Sequence, residues 1–319
     1  MGTMSKYSSD ETSSMDMDEK THESKGDVAG VEETRLRLSV RARNPRPSRR
    51  LLKRFKVSKC FQSNVRSSVY GAIERDTQCA VVLKSSRFNA ATFEVYQKVL
   101  ESERTHGLIK PVEFFLDEDK QMQIVLPFVK GGDLIENILD NGPMTEENVR
   151  EMMNSVSTGL DFLHNVCKVA HRDVSPENIL LDHASDALLI DYGSCRDADD
   201  KKRDNEGVKL VYLAPELFDL IKSSPSHDLR KSADVWSLGC VMFVALFGIP
   251  PFETASKSDE RFRHLCRYGF RSYVHAMMGP SLNCSESALN LLECMLKPNP
   301  ELRPSCQEIL SHSWFRIEK

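Results

Sequence analysis

Two short polar segments constrain this chain of 319 residues more than any other feature. Residues 171–178 read HRDVSPEN, and residues 191–193, which begin thirteen positions after Asn178, read DYG. Phosphoryl transfer needs an acid beside the acceptor hydroxyl, and an amide and a carboxylate that hold Mg²⁺ on the triphosphate. The two segments contain these residue types, which can act together only if they converge on one cleft. We therefore expect a fold that brings these two segments together around a phosphorylated ligand.

Composition allows a substantial core and excludes several classes of protein. With 40% hydrophobic residues the chain is long enough for one or two domains, and its net charge of −4 gives no general attraction to nucleic acid or membrane. No apolar run reaches the roughly 18 residues of a membrane span. Nine cysteines occur without a C-x-x-C pair, which argues against zinc and disulfides. We expect a soluble protein of the cytoplasm or nucleus.

Residues 1–54 are predicted to be a disordered extension, first acidic and then basic. Residues 8–35 are rich in Ser, Thr, Asp and Glu and lack apolar periodicity, so folding would not repay their conformational entropy. Residues 35–59 carry many basic side chains. They fit a nuclear import signal, a patch for anionic lipid or nucleic acid, a pseudosubstrate, or a solvated leader.

The rest of the chain changes character once. Residues 55–126 alternate β-branched strands with turns and indicate a small, mostly β lobe, whereas residues 133–316 show helical periodicity. The glycine pair in residues 127–132 predicts a connector. One apolar stripe, which Thr145 is placed to cap, comprises Val149, Met152, Met153, Val156, Leu160 and Leu163. The predicted class is α+β with two lobes.

Six motifs occur in one order along residues 55–316: VVLK at 81–84, HRDVSPEN at 171–178, DYG at 191–193, APE at 214–216, DVWSLG at 234–239 and NPELRP at 299–304. In this order they resemble the catalytic domain of eukaryotic protein kinases, of the Ser/Thr type. The resemblance implies a bilobal kinase fold that uses ATP and Mg²⁺ to phosphorylate proteins.

By this resemblance, Asp173 takes or orients the proton of the substrate hydroxyl, Asn178 and Asp191 ligate Mg²⁺, and Lys84 positions ATP. The other ATP contacts would be Val69, Leu126 as gatekeeper, main-chain groups of Pro127 and Val129, Leu180, and Asp133 at the ribose. Asp133 and Glu177 together favour substrates with basic residues near the acceptor. The resemblance also pairs Glu216 with Arg303, assigns Asp234 to the catalytic-loop backbone, and places the Tyr192 ring beside His171.

The phosphate-covering loop departs from the family. The glycines of G-x-G-x-x-G are replaced by Gln62, Asn64 and Ser67. Glycine lets the backbone approach a phosphate without a Cβ, so we expect weak nucleotide binding or an open loop.

A second departure is Ser175, which stands where Ser/Thr kinases have a lysine. The threonine that usually lies beside that lysine, before A-P-E, is Lys209 here. We therefore hypothesise an exchange, in which the Lys209 ammonium contacts both Ser175 and the γ-phosphate.

The glutamate that normally pairs with the lysine of the third strand is ambiguous. Alignment without a gap places Tyr96 at the position of this glutamate. Glu94 takes the position if the turn after the helix is two residues longer. Glu101 is a poorer choice because it lies toward the end of the helix. The activation segment contains five acids that are hypothesised to replace a phosphate opposite Arg172: Asp197, Asp199, Asp200, Asp204 and Glu206.

An active Mg-ATP-dependent Ser/Thr kinase is the favoured interpretation, because the base, both metal ligands and the ATP lysine are retained. The alternative is a pseudokinase scaffold with weak or unproductive nucleotide binding. A small-molecule kinase and a tyrosine kinase are disfavoured, and nucleic acid is not an expected partner. The substrate, the regulator and the oligomeric state stay open.

Overall fold

The structure is a computed structural model that describes residues 44–103, 105–182, 186–197, 209–219, 227–279 and 282–316. It has the α+β, two-lobed architecture that the sequence predicts, with an antiparallel sheet followed by a mainly helical lobe. The predicted boundaries of the connector, residues 127–132, stay a prediction.

The N-terminal lobe is a five-stranded antiparallel sheet in the order β1-β2-β3-β5-β4. Its strands are β1 (Phe55–Ser63), β2 (Ser67–Glu74), β3 (Ala80–Arg87), β4 (Glu113–Leu116) and β5 (Gln121–Pro127). The register places Val69 of β2 opposite Lys84, and Lys84 opposite Ile124 of β5. The middle of β3 therefore lies between two strands, which fixes where the Lys84 side chain leaves the sheet.

Helix α2 (Ala90–Glu101) packs beside this sheet and follows a short helix, α1 (Arg49–Arg54). The Asn89 side chain caps the start of α2 by accepting from the Thr92 N–H. Val95, Tyr96 and Val99 point inward and are buried. Their spacing gives α2 a single buried face toward the helical lobe.

The C-terminal lobe consists of helices with two small two-stranded sheets. The helices are α3 (Leu134–Asn141), α4 (Glu146–Phe162), α5 (Pro215–Asp219), α6 (His227–Phe247), α7 (Glu260–Tyr268), α8 (Phe270–Met278), α9 (Glu286–Met295) and α10 (Cys306–Leu310). The strands β6 (Val169–Ala170) and β9 (Arg196–Asp197) pair, as do β7 (Ile179–Asp182) and β8 (Asp186–Leu189). None of the helices in the described residues is long and apolar enough to cross a membrane.

The core of this lobe follows the predicted apolar pattern. Thr145 caps α4 by accepting from the Asn148 N–H, and the apolar stripe of α4 is buried. Helix α6 lies at the centre of the lobe, with Trp236 fully buried against Phe252 at a ring distance of 5.5 Å. Trp314 is also buried. The prediction that both tryptophans anchor the core is confirmed.

The prediction of disorder through residue 54 is wrong for residues 44–54; residues 1–43 lie outside the described part. Helix α1 buries Leu51 to 1% exposure against the sheet. Arg50 pairs with Glu113 at 3.2 Å, and the Ser48 N–H donates to the Gln123 side chain at 3.2 Å. These contacts compensate for the conformational entropy that is lost when this basic segment becomes ordered. The prediction of disorder considered only the charge and composition of the segment and not these contacts.

Leu51→Ala is expected to lower the free energy of unfolding by about 2–5 kcal/mol, because it leaves a cavity under the sheet. The neighbouring Leu52 is 45% exposed, so Leu52→Ala serves as a matched control with little expected effect. Denaturant unfolding of both variants measures the difference. Equal stability of the two variants would mean that α1 does not pack on the sheet.

Candidate active site

The catalytic loop is held in place by one buried carboxylate. Asp234, at 2% exposure, accepts hydrogen bonds from the His171 N–H at 2.7 Å and the Arg172 N–H at 2.8 Å. Arg172 has φ +70°, a left-handed conformation that a non-glycine residue rarely adopts. The two hydrogen bonds hold the backbone where this strain occurs. The predicted role of Asp234 is confirmed.

Asp173 and Asn178 lie together at the end of this loop. The Asn178 side-chain amide donates to the Asp173 carbonyl at 2.8 Å, which leaves the amide oxygen of Asn178 for another partner. Burial raises the pKa of Asp173 above the ordinary value, although Lys209 and His171 act in the opposite direction. A raised pKa suits a carboxylate that must accept a proton.

Lys84 pairs with the carboxylate of Asp191. Burial opposes ionisation of Asp191, but the Lys84 ammonium and the Gly193 N–H outweigh it and lower the pKa of Asp191 to about 2. Asp191 also has a left-handed backbone, with φ +63°. The structure therefore brings the predicted ATP lysine and the predicted metal ligand into direct contact, with Asp191 ionised at neutral pH.

Glu94 is not the partner of Lys84, so this alternative from the sequence analysis is wrong. Its carboxylate is 57% exposed and lies 2.6 Å from the ammonium of Lys98, one turn along α2. Tyr96 points inward instead and is 1% exposed. Side chains two positions apart project from nearly opposite sides of a helix, so burying Tyr96 directs Glu94 to solvent.

Tyr192 fills the space next to the catalytic loop. Its ring packs 4.9 Å from that of Tyr96 and 6.3 Å, edge-on, from that of His171. The Tyr192 hydroxyl donates to the Ile109 carbonyl at 2.9 Å. The prediction of an aromatic plug beside His171 is confirmed, and the extra hydroxyl relative to phenylalanine has a buried acceptor.

Lys209 lies against the catalytic loop and contacts Ser175, the residue that replaces the usual lysine. Its ammonium donates to the Ser175 hydroxyl at 2.6 Å and lies 3.2 Å from the Glu177 carboxylate and 4.0 Å from that of Asp173. Ser175 is fully buried, and Lys209 is among the residues that cover it. The contact between Lys209 and Ser175 is present as hypothesised; the role of Lys209 in phosphoryl transfer stays a prediction.

The phosphate-covering loop closes on itself. The Asn64 side-chain oxygen accepts from the N–H groups of Arg66 at 2.8 Å and Ser67 at 2.9 Å, and the Asn64 N–H donates to the Ser67 carbonyl at 2.9 Å. The Asn64 side chain thus occupies the N–H groups of Arg66 and Ser67 within the predicted phosphate-covering loop. The preference of Asn for such turns is the sequence signal for this contact, which the loss of glycine obscured.

The residues predicted to contact adenine come from strands β2 and β5 and from the connector. Val69 faces Lys84 across the strands, and Leu126, at 7% exposure, pairs with Val82. Pro127 ends β5, and Val129 packs against the core. The sequence-based prediction of adenine contacts did not include Val82. Strand alternation places Val82 on the same face as Lys84, at the position where V-A-I-K has an alanine.

The connector is tied to the floor of the cleft. The Leu181 N–H donates to the Gly132 carbonyl at 3.0 Å, and Leu180 forms a bridge with Asp133. A Cβ at Gly131 would lie 2.0 Å from the Leu181 carbonyl oxygen, so only glycine fits. The Asp133 carboxylate caps α3 by accepting from the Glu136 N–H at 2.8 Å. Leu180 and Asp133 are thereby brought together below the predicted adenine site.

The segment before A-P-E is anchored by an ion pair. Arg303, whose side chain is fully buried, donates two hydrogen bonds to Glu216 at 2.8 and 2.7 Å. The predicted pairing of Glu216 with Arg303 is confirmed. Of the five acids hypothesised to replace a phosphate, Asp199, Asp200, Asp204 and Glu206 lie outside the described residues, as does the side chain of Asp197.

The donor set near Asp191 fits a small hard cation. An ionised carboxylate and an amide oxygen, from Asp191 and Asn178, are ligands that Mg²⁺ takes when phosphates and water complete its shell. Within the described residues, no group of three or more His, Cys, Asp and Glu side chains is arranged to hold a metal by itself. A cation here would therefore depend on oxygens supplied by a bound ligand.

A family model described as "Protein kinase domain" matches residues 65–315. This chain belongs to the protein kinase family. The similar curated proteins include serine/threonine-protein kinase cds1 of Schizosaccharomyces pombe, 30% identical over 256 residues that cover 79% of this chain and 54% of cds1. Aurora kinase B of Danio rerio is 27% identical over 78% of this chain and 75% of its own length. The predicted Ser/Thr-type catalytic domain is confirmed.

The solved structure of Rad53 1-466 in complex with AMP-PNP has the same fold. It aligns with a TM-score of 0.66 and 22% identity, over 83% of this chain and 66% of the Rad53 chain. The chain spans only 29–54% of the length of four of the curated relatives it matches. What those longer proteins do as wholes therefore does not transfer directly.

Proposed function

We propose that this chain transfers the γ-phosphate of ATP, with Mg²⁺, to serine and threonine hydroxyls of protein substrates. One observation carries the proposal: the Lys209 ammonium lies 2.6 Å from the Ser175 hydroxyl and 4.0 Å from the Asp173 carboxylate. The catalytic loop lacks its usual lysine, and Lys209 brings a positive charge back to the same place from another segment. A scaffold without phosphotransfer has no need of that charge.

Mg-ATP, when bound, supplies the phosphoryl group and a cation that offsets the phosphate charge. Asn178 and Asp191 would hold the cation, and Asp191 is suited to this because its pKa is lowered to about 2. The Lys84 ammonium, at the side of Asp191, would contact the phosphates. Asp191 would thus orient Lys84, since Tyr96 occupies the position of the usual glutamate.

Asp173 would accept or orient the proton of the substrate hydroxyl. The hydrogen bond from Asn178 fixes the backbone of Asp173, and Lys209 on the same side favours its ionised form. Lys209 would also offset charge that develops on the transferred group. In this arrangement Asp173 would accept the proton of the substrate hydroxyl, and Lys209 would offset the charge on the transferred phosphoryl group.

The adenine ring would lie among Val69, Leu126, Leu180 and the connector, with main-chain groups of Pro127 and Val129 as its hydrogen-bonding partners. The side chain of Pro127 is compatible with this, because proline retains its carbonyl acceptor. Asp133 would lie at the ribose.

The substrates are proposed to be proteins with basic residues near the acceptor. Of the two acids behind this proposal, Glu177 is paired with Lys209 at 3.2 Å, so its charge is partly balanced. The preference then rests mainly on Asp133. All nine cysteines are free thiols, which supports a reducing compartment such as the cytoplasm or nucleus.

A pseudokinase scaffold is the second candidate, and one observation favours it. The Asn64 side chain already takes the N–H groups of Arg66 and Ser67. A nucleotide would have to displace Asn64 before the loop amides reached its phosphates, so binding would be weak. Phosphotransfer and nucleotide affinity, measured on one sample, separate the candidates.

Purified protein is expected to transfer phosphate from Mg-ATP to a degenerate Ser/Thr peptide library, with enrichment of basic residues around the acceptor. Asp173→Asn keeps the shape of the loop and removes the base, so it should lose the activity while retaining nucleotide binding. If wild type and Asp173→Asn were equally silent although both bound nucleotide, the scaffold would be the correct function.

Lys209→Ala is expected to lower kcat by about 10²–10³, the cost of removing one charge-stabilising donor. The double variant Ser175→Lys with Lys209→Thr restores the usual family arrangement and should recover most of the loss. Steady-state kinetics on one peptide measure both effects. If Lys209→Ala had wild-type kcat while Lys84→Met was inactive, the proposed exchange would be wrong.

The activity should fall on acidification, at a higher pH than the ordinary pKa of aspartate. Burial raises the pKa of Asp173, and the base is lost as the pH drops through that raised value. Lys209 lowers this pKa, so Lys209→Ala should move the acid limb of the kcat profile to higher pH. Lys209→Arg, which keeps the charge, is the control. Superimposable profiles for the alanine variant and wild type would show that Lys209 does not act on Asp173.

A further inference from the structure

Three buried side chains form a line from the core of the helical lobe to the catalytic loop. Cys306 Sγ lies 3.6 Å from His164 Nδ1, and His164 Nε2 lies 2.8 Å from Asp234 Oδ2. The same Asp234 oxygen accepts from the His171 N–H. Cys306, His164 and Asp234 are at most 4% exposed. None of the proposed steps of phosphoryl transfer uses Cys306 or His164.

The environment of His164 favours its charged form. Burial alone would lower the pKa of His164, but its contacts with Cys306 and Asp234 outweigh burial, and the pKa of His164 rises to about 10. His164 Nδ1 faces the Cys306 sulfur while Asp234 holds Nε2, which is the arrangement of base and orienting carboxylate found around activated cysteine nucleophiles.

Cys306 borders a pocket, although little of its own surface is exposed. The pocket has a volume of about 630 Å³ and is lined by His164 and Cys306, with Asp228, Lys231 and Glu308 among the charged residues. The charges are of both signs, so the pocket selects neither anions nor cations. A small uncharged reagent is therefore the best suited to reach Cys306 through this pocket.

We infer that Cys306 is a site of oxidation by hydrogen peroxide and that its oxidation loosens the catalytic loop. The thiolate sulfur attacks one peroxide oxygen, so that an S–O bond forms and the O–O bond breaks. The departing hydroxide takes the proton from His164 Nδ1 and leaves as water. Sulfur loses two electrons, the peroxide gains them, and Cys306 becomes a sulfenic acid.

An oxygen added on the side of the Cys306 sulfur that faces His164 would not fit between the two groups. Cys306 Sγ and His164 Nδ1 are already 3.6 Å apart, so on this side the sulfur and the ring must separate. Proton transfer also leaves the ring neutral, which weakens its attraction to Asp234. Asp234 is the carboxylate that holds the His171 and Arg172 amides. The oxidation is therefore transmitted to the catalytic loop through one shared acceptor.

Cys167 is a natural internal control. It is 5% exposed, similar to Cys306, but burial raises its pKa to about 11. Its thiol is therefore protonated near neutral pH and unreactive. Exposed Cys60 reports the behaviour of an ordinary accessible thiol.

The reactivity test treats the full chain with hydrogen peroxide, traps sulfenic acid with a 1,3-diketone and maps the labelled peptides by mass spectrometry. Cys306 should be labelled at least about tenfold faster than Cys167, because the His164 ring contacts the Cys306 sulfur whereas the Cys167 thiol is protonated near neutral pH. His164→Gln should reduce labelling of Cys306 by about tenfold and leave that of Cys60 unchanged. Labelling of Cys306 no faster than that of Cys167, or unaffected by His164→Gln, would overturn the inference.

The coupling test measures amide hydrogen exchange of the peptide containing His171 and Arg172, before and after oxidation. Exchange should accelerate by about tenfold or more in wild type and should not change in Cys306→Ala. Labelled Cys306 with unchanged exchange would refute the coupling to the loop. Neither readout requires kinase activity, so both stand or fall separately from the proposed function.

Discussion

The Asp234 carboxylate is the contact on which the catalytic loop depends. It is buried at 2% exposure, it accepts from two consecutive backbone amides, and it also contacts His164. Burial would raise the pKa of Asp234, yet the hydrogen bond with His164 and the neighbouring positive charge lower it, so the carboxylate stays ionised. A buried charge without these partners would cost several kcal/mol. The left-handed backbone at Arg172 is tolerated because this acceptor holds the chain there.

The sequence predicted those parts of the fold in which a residue type has a single physical role. The hydrophobic pattern and the motif order predicted the two-lobed architecture. The resemblance to protein kinases predicted the Glu216–Arg303 pair, the Asp234 contacts and the Tyr192 ring beside His171, and each of these polar or aromatic groups has a buried partner. Two expectations failed because tertiary contacts decided them. Residues 44–54 are ordered because Leu51 finds a buried site, and Glu94 faces solvent because Tyr96 takes the inner face of the helix. Composition and alignment do not contain that information.

The candidate site shows that charge and covalent position can be separated. In the usual arrangement the lysine and the base share one loop, whereas here the ammonium comes from Lys209, 34 residues after Ser175. Electrostatic interactions depend on distance and environment rather than on the segment that carries the charge, so the proposed exchange would keep a positive charge beside the catalytic loop. The position of this charge therefore depends on the residues just before A-P-E, whereas a lysine within the catalytic loop would move together with the base.

The Tyr192 hydroxyl has a consequence for small molecules that enter the cleft. In protein kinases the packing of the aromatic ring that follows the metal-binding aspartate sets the active or inactive state, so a ligand that moves this ring must break its contacts. Here the ring is fully buried, and its hydroxyl donates to the Ile109 carbonyl. Displacement would expose an acceptor that has lost its donor, at a cost of about 1–3 kcal/mol on top of the lost packing. Ligands that leave the ring in place should therefore be favoured over those that move it, by roughly one to two orders of magnitude in Kd.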